Sequence, residues 1–596
     1  MQLAQALFRR FRHWNLARLS RHRKRRRLDY EEWCARHDTL APPLLDVLGA
    51  RAKELSRHAS VDLLWMEAAR PGELEDCLRS LRGQLFRTWR LHVPLSPQGD
   101  AEQARWWQEQ SQADPRIVCH EVSAEPALRL RALLRAATAP WCGFVSERER
   151  LRPHALLKLV EGALQRADAV LVYGDEDRID SSGRRHSPWF KGDFDPESLL
   201  GHDAIGRPSL FHSETLRKCV SADSLAFGAL LHDLALRVTE RIAPERVVHV
   251  PHVLCHRLQA TPQDLADTER AVAAHLARLG IAARAEAQLD HHWPVVRVRF
   301  ALPEPAPWAT VIVPTRNNLN ALRACVTSIL ERTTYPNYDV AIIDNACDDP
   351  ECLRFLEEVA KSPRVQVRRD PRLFNFASLN NASVRAARGE FVALLNDDVE
   401  VLSPDWLQEM LSLAARPGVG AVGARLLYAD RTLQHGGVIV GLQGAAGHAM
   451  KRLSATEAGP GGRARLMQSY LAVTAACLVV SRASYEQVGG MNEAEFAVAY
   501  NDVDFCLKLH AAGYRNLWTP HAELLHHESV SRKKTDPLTR KRGLDAESRA
   551  LCARWPQWVE RDPYYNPNLT LASDDFGLAD PPRVSLTISA TLPKPR

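Results

Sequence analysis

Two long segments of the chain, residues 60–260 and 308–535, alternate short apolar runs with amphipathic stretches of helical spacing. Runs such as Phe391-Val-Ala-Leu-Leu395 and Thr310-Val-Ile-Val-Pro314 are the length of one strand and end in polar residues. Strands alternating with helices predict an α/β fold with a largely parallel sheet in each segment. The two segments also match each other. Ala387–Asn396 aligns without gaps on Ala137–Ser146, and Asp502–Lys508 aligns on Leu231–Arg237. Tyr338–Asp344 pairs with Trp89–Leu95, and His526 falls near His256. Two tandem copies of one fold are therefore expected.

The predicted organisation follows from these copies. Residues 1–58 form a basic amphipathic N-terminal segment, 59–260 the first copy, 261–307 a connector, and 308–535 the second copy. Residues 536–596 form a C-terminal helix and tail. Within the connector a helix is expected over Thr268–Leu279 and a strand over Val295–Phe300. Pro303-Glu-Pro-Ala-Pro307 reads as a linker. A last helix is expected over Asp545–Trp555, and the last residues of the chain are expected to be mobile.

Composition adds a compartment. A 596-residue chain that is 45% apolar and 25% charged is that of a soluble globular protein. No run approaches the ~18 apolar residues of a membrane span. Twelve scattered Cys, with no CxxC pair, point to reduced thiols and a cytoplasmic location. The net charge of +6 is small, but Arg9–Arg27 holds about ten Lys and Arg and no acid. Such a helix over residues 1–28 can lie on the anionic inner face of the cell membrane, at ~1 kcal/mol per cation. A solvated basic tail is the alternative. No nucleic-acid-binding module accompanies the run, so nucleic acid is not an expected partner.

Candidate chemistry gathers in the second copy. Phe391–Leu395 ends in Asn396, Asp397 and Asp398, and open α/β sheets bind ligands at that end of a strand. Asn396 and Asp398 can share Mg²⁺ or Mn²⁺, which commonly brings phosphates with it. An Asx-rich turn is the plainer reading. Asp344 ends another strand, where an acid can accept hydrogen bonds from a base or ribose. There is no GxGxxG or P-loop motif, so the phosphates would fall to a metal. Asn501-Asp502-Val-Asp504 opens a helix, as a general base or as an N-cap box. His526-His527 follows a strand, where an imidazole could complete the metal site.

The first copy departs at those positions. Leu95 faces Asp344, Ser146 faces Asn396, Arg148 faces Asp398 and Leu231 faces Asp502. Arg148 would repel a cation, so a metal-dependent catalyst is not expected there. Asp175-Glu176-Asp177 and Asp180 are expected to form a solvated acidic loop.

Residues Thr310–Arg532 resemble a family 2 glycosyltransferase of the kind that builds bacterial O-antigen and other surface polysaccharides. The resemblance is carried by Val311-Ile-Val-Pro-Thr-Arg, Ile343-Asp-Asn, Leu379-Asn-Asn, Ala387-Arg-Gly-Glu, Leu395-Asn-Asp-Asp, Gln434-His-Gly-Gly, Val488-Gly-Gly-Met-Asn, Asn501-Asp-Val-Asp-Phe-Cys-Leu and His526-His-Glu-Ser. With its eroded first copy, the chain resembles rhamnosyltransferase-like tandem enzymes. The resemblance implies two tandem GT-A domains, the first degenerate, and inverting transfer from a dTDP-, UDP- or GDP-linked sugar to a glycan or lipid-linked acceptor. It implies that Asp344 contacts the nucleobase, while Pro314, Thr315, Asn381 and Asp397 line the nucleotide pocket. Asn396, Asp398 and His526 would hold Mn²⁺ or Mg²⁺, and Asp502 would deprotonate the acceptor. Gly436, Gly437, Gly489, Gly490 and Asn501 would shape the acceptor side. Asn396 stands where the family has the first Asp of its DxD motif. The alternative function is a non-catalytic glycan-binding or scaffold protein.

Overall fold

Phe391–Leu395 is buried at every position, as a central strand covered on both faces must be. Around it the computed structural model builds the second of two large sheets. The structure describes residues 28–586, apart from 66–70, 98, 124, 221–226, 259–263, 292 and 529–536.

Eight strands make the main path of the first sheet: β1 (Val61–Trp65), β2 (Trp89–Leu95), β3 (Ile117–Glu121), β4 (Trp141–Val145), β5 (Glu149–Leu151), β6 (Leu171–Ile179), β7 (Ser209–His212) and β8 (Val247–Arg257). Their order is β3-β2-β1-β4-β7-β6-β8-β5. The second sheet uses β9 (Ala309–Thr315), β10 (Tyr338–Asp344), β11 (Val365–Arg369), β12 (Phe391–Leu395), β13 (Val399–Val401), β14 (Val419–Leu427), β15 (Cys477–Ser481) and β16 (Arg515–His526). Their order is β11-β10-β9-β12-β15-β14-β16-β13, the same path strand for strand. Registers agree too. Val61 pairs with Trp89 and Trp141, as Ala309 pairs with Tyr338 and Phe391. The expected tandem α/β architecture is present.

Local chemistry explains one shared detail at the start of β12. A Cβ on Gly389 would come within 2.6 Å of the Thr310 nitrogen, so the chain can pass β9 there only as glycine. The Gly389 N–H donates to Thr310 Oγ1 at 3.0 Å. In the first copy buried Asp62 has that task, accepting from the Thr138 and Ala139 nitrogens at 2.6 and 2.7 Å.

Register corrects one equivalence. Glu149 of β5 pairs with Arg257, and Val399 of β13 pairs with His526. The first-copy partner of His526 is therefore Arg257 rather than His256. Asp398 and His526 thus both face arginines in the first copy.

The acidic cluster is a second correction. Asp175, Glu176 and Asp177 lie on β6 and are buried, not on a solvated loop. Asp175 receives His249 at 2.8 Å, Glu176 pairs with Lys191 at 3.2 Å and Arg257 at 3.1 Å, and Asp177 accepts from Tyr30 at 2.7 Å. Burial of such charges is tolerated because each is paired. Asp180 follows at the turn, accepting from the Ser182 and Arg184 nitrogens.

Between the sheets lie helix Leu265–Arg278 and a hairpin of Ala283–Asp290 with Trp293–Phe300. The second hairpin strand was expected, and its partner was not. Helices Tyr30–His37 and Pro42–Leu55 pack against the first copy. The basic run up to Arg27, and with it the expected membrane contact, lies outside the described residues. Among the described residues no helix is long and apolar enough to cross a membrane.

The C-terminal region departs most from expectation. Helix Pro537–Arg554 starts earlier than predicted, and helix Pro556–Glu560 follows it. Residues 561–586 then run as a packed strap where only a tail was expected, and residues 587–596, at the end expected to be mobile, lie outside the described residues. Asn566 donates to Asp175 at 2.8 Å and to the Lys191 carbonyl at 2.7 Å in the first copy. Asp562 accepts from the Val440 nitrogen at 3.0 Å in the second, and burial pushes its pKa up to about 7.

Candidate active site

Parallel strands place their C-terminal ends on one rim, and the second sheet gathers its polar residues there. Thr315 and Asp344 are register partners at the ends of β9 and β10. The Thr315 hydroxyl donates to Asp397 Oδ2 at 2.7 Å, and Asn318 donates to Oδ1 at 3.2 Å. Asn396 N donates to the Ala476 carbonyl at 3.1 Å. The neighbouring Ala475 nitrogen donates to Asp502 Oδ2 at 3.0 Å. This chain of contacts joins Thr315, Asp344, Asn396, Asp397 and Asp502 on one edge, with Pro314 half-buried beside them.

Asp398 turns to β16. Its Oδ1 lies 3.2 Å from His526 Nε2, and its carbonyl accepts from the His527 nitrogen at 2.9 Å. Both residues of the pair are 7% exposed. His527 points elsewhere, toward Glu400 at 3.4 Å. The separation of Asp398 and His526 suits a shared cation. Adjacent ligands on an octahedron of ~2.1 Å bonds stand about 3.0 Å apart. His526 Nδ1 is buried with no hydrogen-bond partner among the described residues. Among those residues no group of three or more His, Cys, Asp or Glu is arranged to hold a metal. Two protein ligands are nonetheless the usual number where Mg²⁺ takes its remaining oxygens from phosphates and water. The residues present therefore fit a divalent ion held jointly with a substrate.

Electrostatics separate the two aspartates. Burial, against the Thr315 bond and helped by the Asp398 charge, pushes Asp397 up to about 6. Asp344 is buried, its Oδ1 accepting from the Cys347 nitrogen at 2.7 Å and its Oδ2 from Arg369 at 2.8 Å. Arg369 was missed by sequence reasoning, since nothing local marks a β11 arginine as the partner of a β10 acid. Asp502 sits half-exposed in the first turn of helix Asn501–Ala511. Asp504 turns inward instead, accepting from Trp555 at 2.9 Å, and burial raises its pKa. Asn501 is buried, and its Nδ2 has no partner among the described residues. Asn317, Ala346 and Tyr500 have φ of 50°, 57° and 55°, each two residues from Thr315, Asp344 or Asp502. Left-handed non-glycine backbone of this kind gathers where a fold aims functional groups.

Other expected residues hold the frame. Asn381 donates to the Met491 carbonyl at 2.9 Å and Glu493 at 2.8 Å, and accepts from Tyr485 at 2.6 Å and Met491 N at 2.9 Å. Its amide is thereby saturated by the loop that Gly489 and Gly490 begin. Gly490, at φ 64°, must be glycine, because a Cβ would meet Asn381 Oδ1 at 2.5 Å. Gly489 is exposed, whereas Gly436 and Gly437 are buried, the latter against the Tyr470 ring. His435, between Gln434 and Gly436, packs its Nδ1 2.8 Å from His448 Nδ1, and burial lowers its pKa well below the usual range. The sequence motif alone gives the imidazole no role.

Residues 310–447 match the profile of Glycosyl transferase family 2. The second copy contains a family 2 glycosyltransferase domain. The first sheet, which repeats the strand path of the second, lies outside that match. The uncharacterized protein y4gI of Sinorhizobium fredii is 38% identical over 523 residues, 86% of this chain and 57% of that protein. O-antigen biosynthesis protein RfbC of Myxococcus xanthus is 32% identical over 566 residues, 92% of this chain and 43% of that protein. The chain thus spans about half the length of the curated relatives it matches. Among solved structures, GalNAc-T7 with UDP, GalNAc and Mn²⁺ has 14% identity and a TM-score of 0.32, covering 41% of this chain and 47% of that one. The mannosyltransferase PcManGT of Pyrobaculum calidifontis, with GDP-Man and Mn²⁺, has 19% identity and a TM-score of 0.29, covering 42% and 75%.

Proposed function

We propose that the second copy is an inverting glycosyltransferase that moves a sugar from a nucleotide-diphosphate donor to a glycan or lipid-linked acceptor. The observation that carries this reading is the buried Asp398–His526 pair, 3.2 Å apart, on the rim that also holds Asp344 and Asp502. Asp344, steadied by Arg369, would meet the nucleobase, and Pro314, Thr315 and Asp397 would line the nucleotide. Asn381 would act through the Gly489–Met491 loop rather than by direct contact. Asp398 and His526 would hold Mn²⁺ or Mg²⁺, with Asn396 beside them. When bound, that ion would neutralise the charge of the departing nucleoside diphosphate. Asp502, oriented by the Ala475 N–H, would take the proton from the acceptor hydroxyl as it attacks the anomeric carbon, in one displacement with inversion. Gly436, Gly437, Gly489, Gly490 and Asn501 would support the acceptor side through the loops they shape.

The likeness to an O-antigen biosynthesis protein supports a place in surface-polysaccharide assembly. A rhamnosyl donor and a peripheral position at the inner membrane face through residues 1–28 belong to the same reading. The first copy, with Arg148 and Arg257 at the two ligand positions, would be non-catalytic. Melting temperature with dTDP, UDP and GDP, with and without Mn²⁺, tests the site. One nucleotide should stabilise wild type in a metal-dependent way, and Asp398→Ala should abolish that effect. Absence of stabilisation by all three would turn the reading to a glycan-binding scaffold.

A further inference from the structure

A second concave site lies away from the catalytic rim. It sits between the two copies, beside the C-terminal strap, as a small cleft with about 50 Å³ of free volume that opens in part to solvent. Three separate parts of the chain build it. The first copy supplies Trp189, Asp193 and His202, the second supplies Arg463 and Gln468, and the strap supplies Tyr564. The cleft therefore exists only in the assembled chain.

Its lining has a particular chemistry. The Trp189 and His202 rings lie 5.7 Å apart at 37° and form one wall, with Tyr564 on another. Aromatic walls with a few placed polar groups are the usual make-up of a small-molecule site. Burial drops the His202 pKa to about 4, and among the described residues no group bonds to its ring nitrogens. A neutral imidazole has one donor and one acceptor to offer. Arg463 is held in place by Gln468, whose Oε1 accepts from it at 3.0 Å while Nε2 donates to its carbonyl. The charges lining the cleft balance: Asp193 and Asp195 stand against Lys191 and Arg463. Lys191 is already paired with Glu176 at 3.2 Å, and Asp193 with Arg561 at 3.1 Å. That balance disfavours a diphosphate or other anion. What remains is aromatic surface beside polar groups that can both donate and accept.

Such a combination suits a ring with an apolar face and a rim of hydroxyls. We propose that the cleft between the copies binds a neutral saccharide unit, separate from the donor site. The assignment deepens the glycosyltransferase reading and rests on it for its biological sense: a glycan held there would belong to the chain being extended. The binding chemistry itself stands on the cleft alone.

Saturation-transfer difference NMR on the full chain tests it, using millimolar methyl glycosides of glucose, galactose, mannose, rhamnose and N-acetylglucosamine. At least one glycoside should give a signal in wild type and keep it in Asp398→Ala. Binding should weaken about fivefold in His202→Ala, the scale of one lost hydrogen bond, and further in Trp189→Ala. If Trp189→Ala lowers the melting temperature, His202→Ala decides the matter. No signal from any glycoside, or a signal untouched by His202→Ala, overturns the proposal. A signal lost in Asp398→Ala also overturns it, by placing the saccharide on the catalytic rim. Glycoside binding without nucleotide stabilisation would leave this site standing and end the donor-site reading.

Discussion

At the scale of single residues, position on the sheet decides what an acid can do. Asp502 and Asp504 share one helical turn, yet Asp504 is held inward by Trp555 while Asp502 stays half-exposed with its carboxylate aimed by the Ala475 N–H. Asp502→Asn keeps the shape and an accepting oxygen but cannot take a proton. Turnover should fall by about 10²–10⁴-fold, the usual contribution of a general base. Nucleotide-induced stabilisation should survive. An assay that finds turnover intact would move the base elsewhere. Asp344, Asp398 and His526 were legible in the sequence because a polar residue after an apolar run marks a strand exit. Arg369 and the saturation of Asn381 were not. Both depend on which neighbour a side chain meets after distant segments pack, and no local pattern encodes that.

At the scale of elements, the strap shows how a polar, proline-rich stretch escapes sequence reading. Residues 561–586 lack the periodicity of a helix or strand, so nothing more than a tail was expected there. Their order comes from hydrogen bonds to buried groups instead. Asn566 is 1% exposed and ties Asp175 and the Lys191 carbonyl, while its own oxygen accepts from the Asn568 nitrogen at 2.8 Å. Asn566→Ala would leave three buried partners short of a bond, one of them a carboxylate. A loss of about 2–4 kcal/mol is expected, since bonds to charged groups and stranded buried atoms each cost ~1–3 kcal/mol. Urea denaturation of the two proteins measures it. A change under ~0.5 kcal/mol would mean that the strap is loosely held in solution.

For the whole molecule, the tandem repeat was legible because the gapless match of Ala137 on Ala387 survives in the registers of β4 and β12. How the copies meet was not, because the contacts join residues far apart in the chain. One hydrophobic core runs through both, from Leu64 and Phe144 to Val313 and Leu524. Glu197 of the first copy, 1% exposed, receives Arg416 at 2.7 Å and Arg515 at 3.2 Å from the second. Asp195 accepts from the Ser469 nitrogen and hydroxyl at 2.8 and 2.7 Å. A shared core of this kind couples the copies more tightly than the small polar contacts between ordinary domains. Calorimetry should therefore show one unfolding transition for the two copies, not two. Glu197→Ala leaves two guanidiniums facing a buried gap, and breaking such a pair costs about 3–5 kcal/mol. Because Arg416 and Arg515 keep some access to water, the lower end of that range is expected, and the single transition should move down as a unit. A variant that splits the transition in two would show that this ion triad, and not the common core, is what makes the copies fold together.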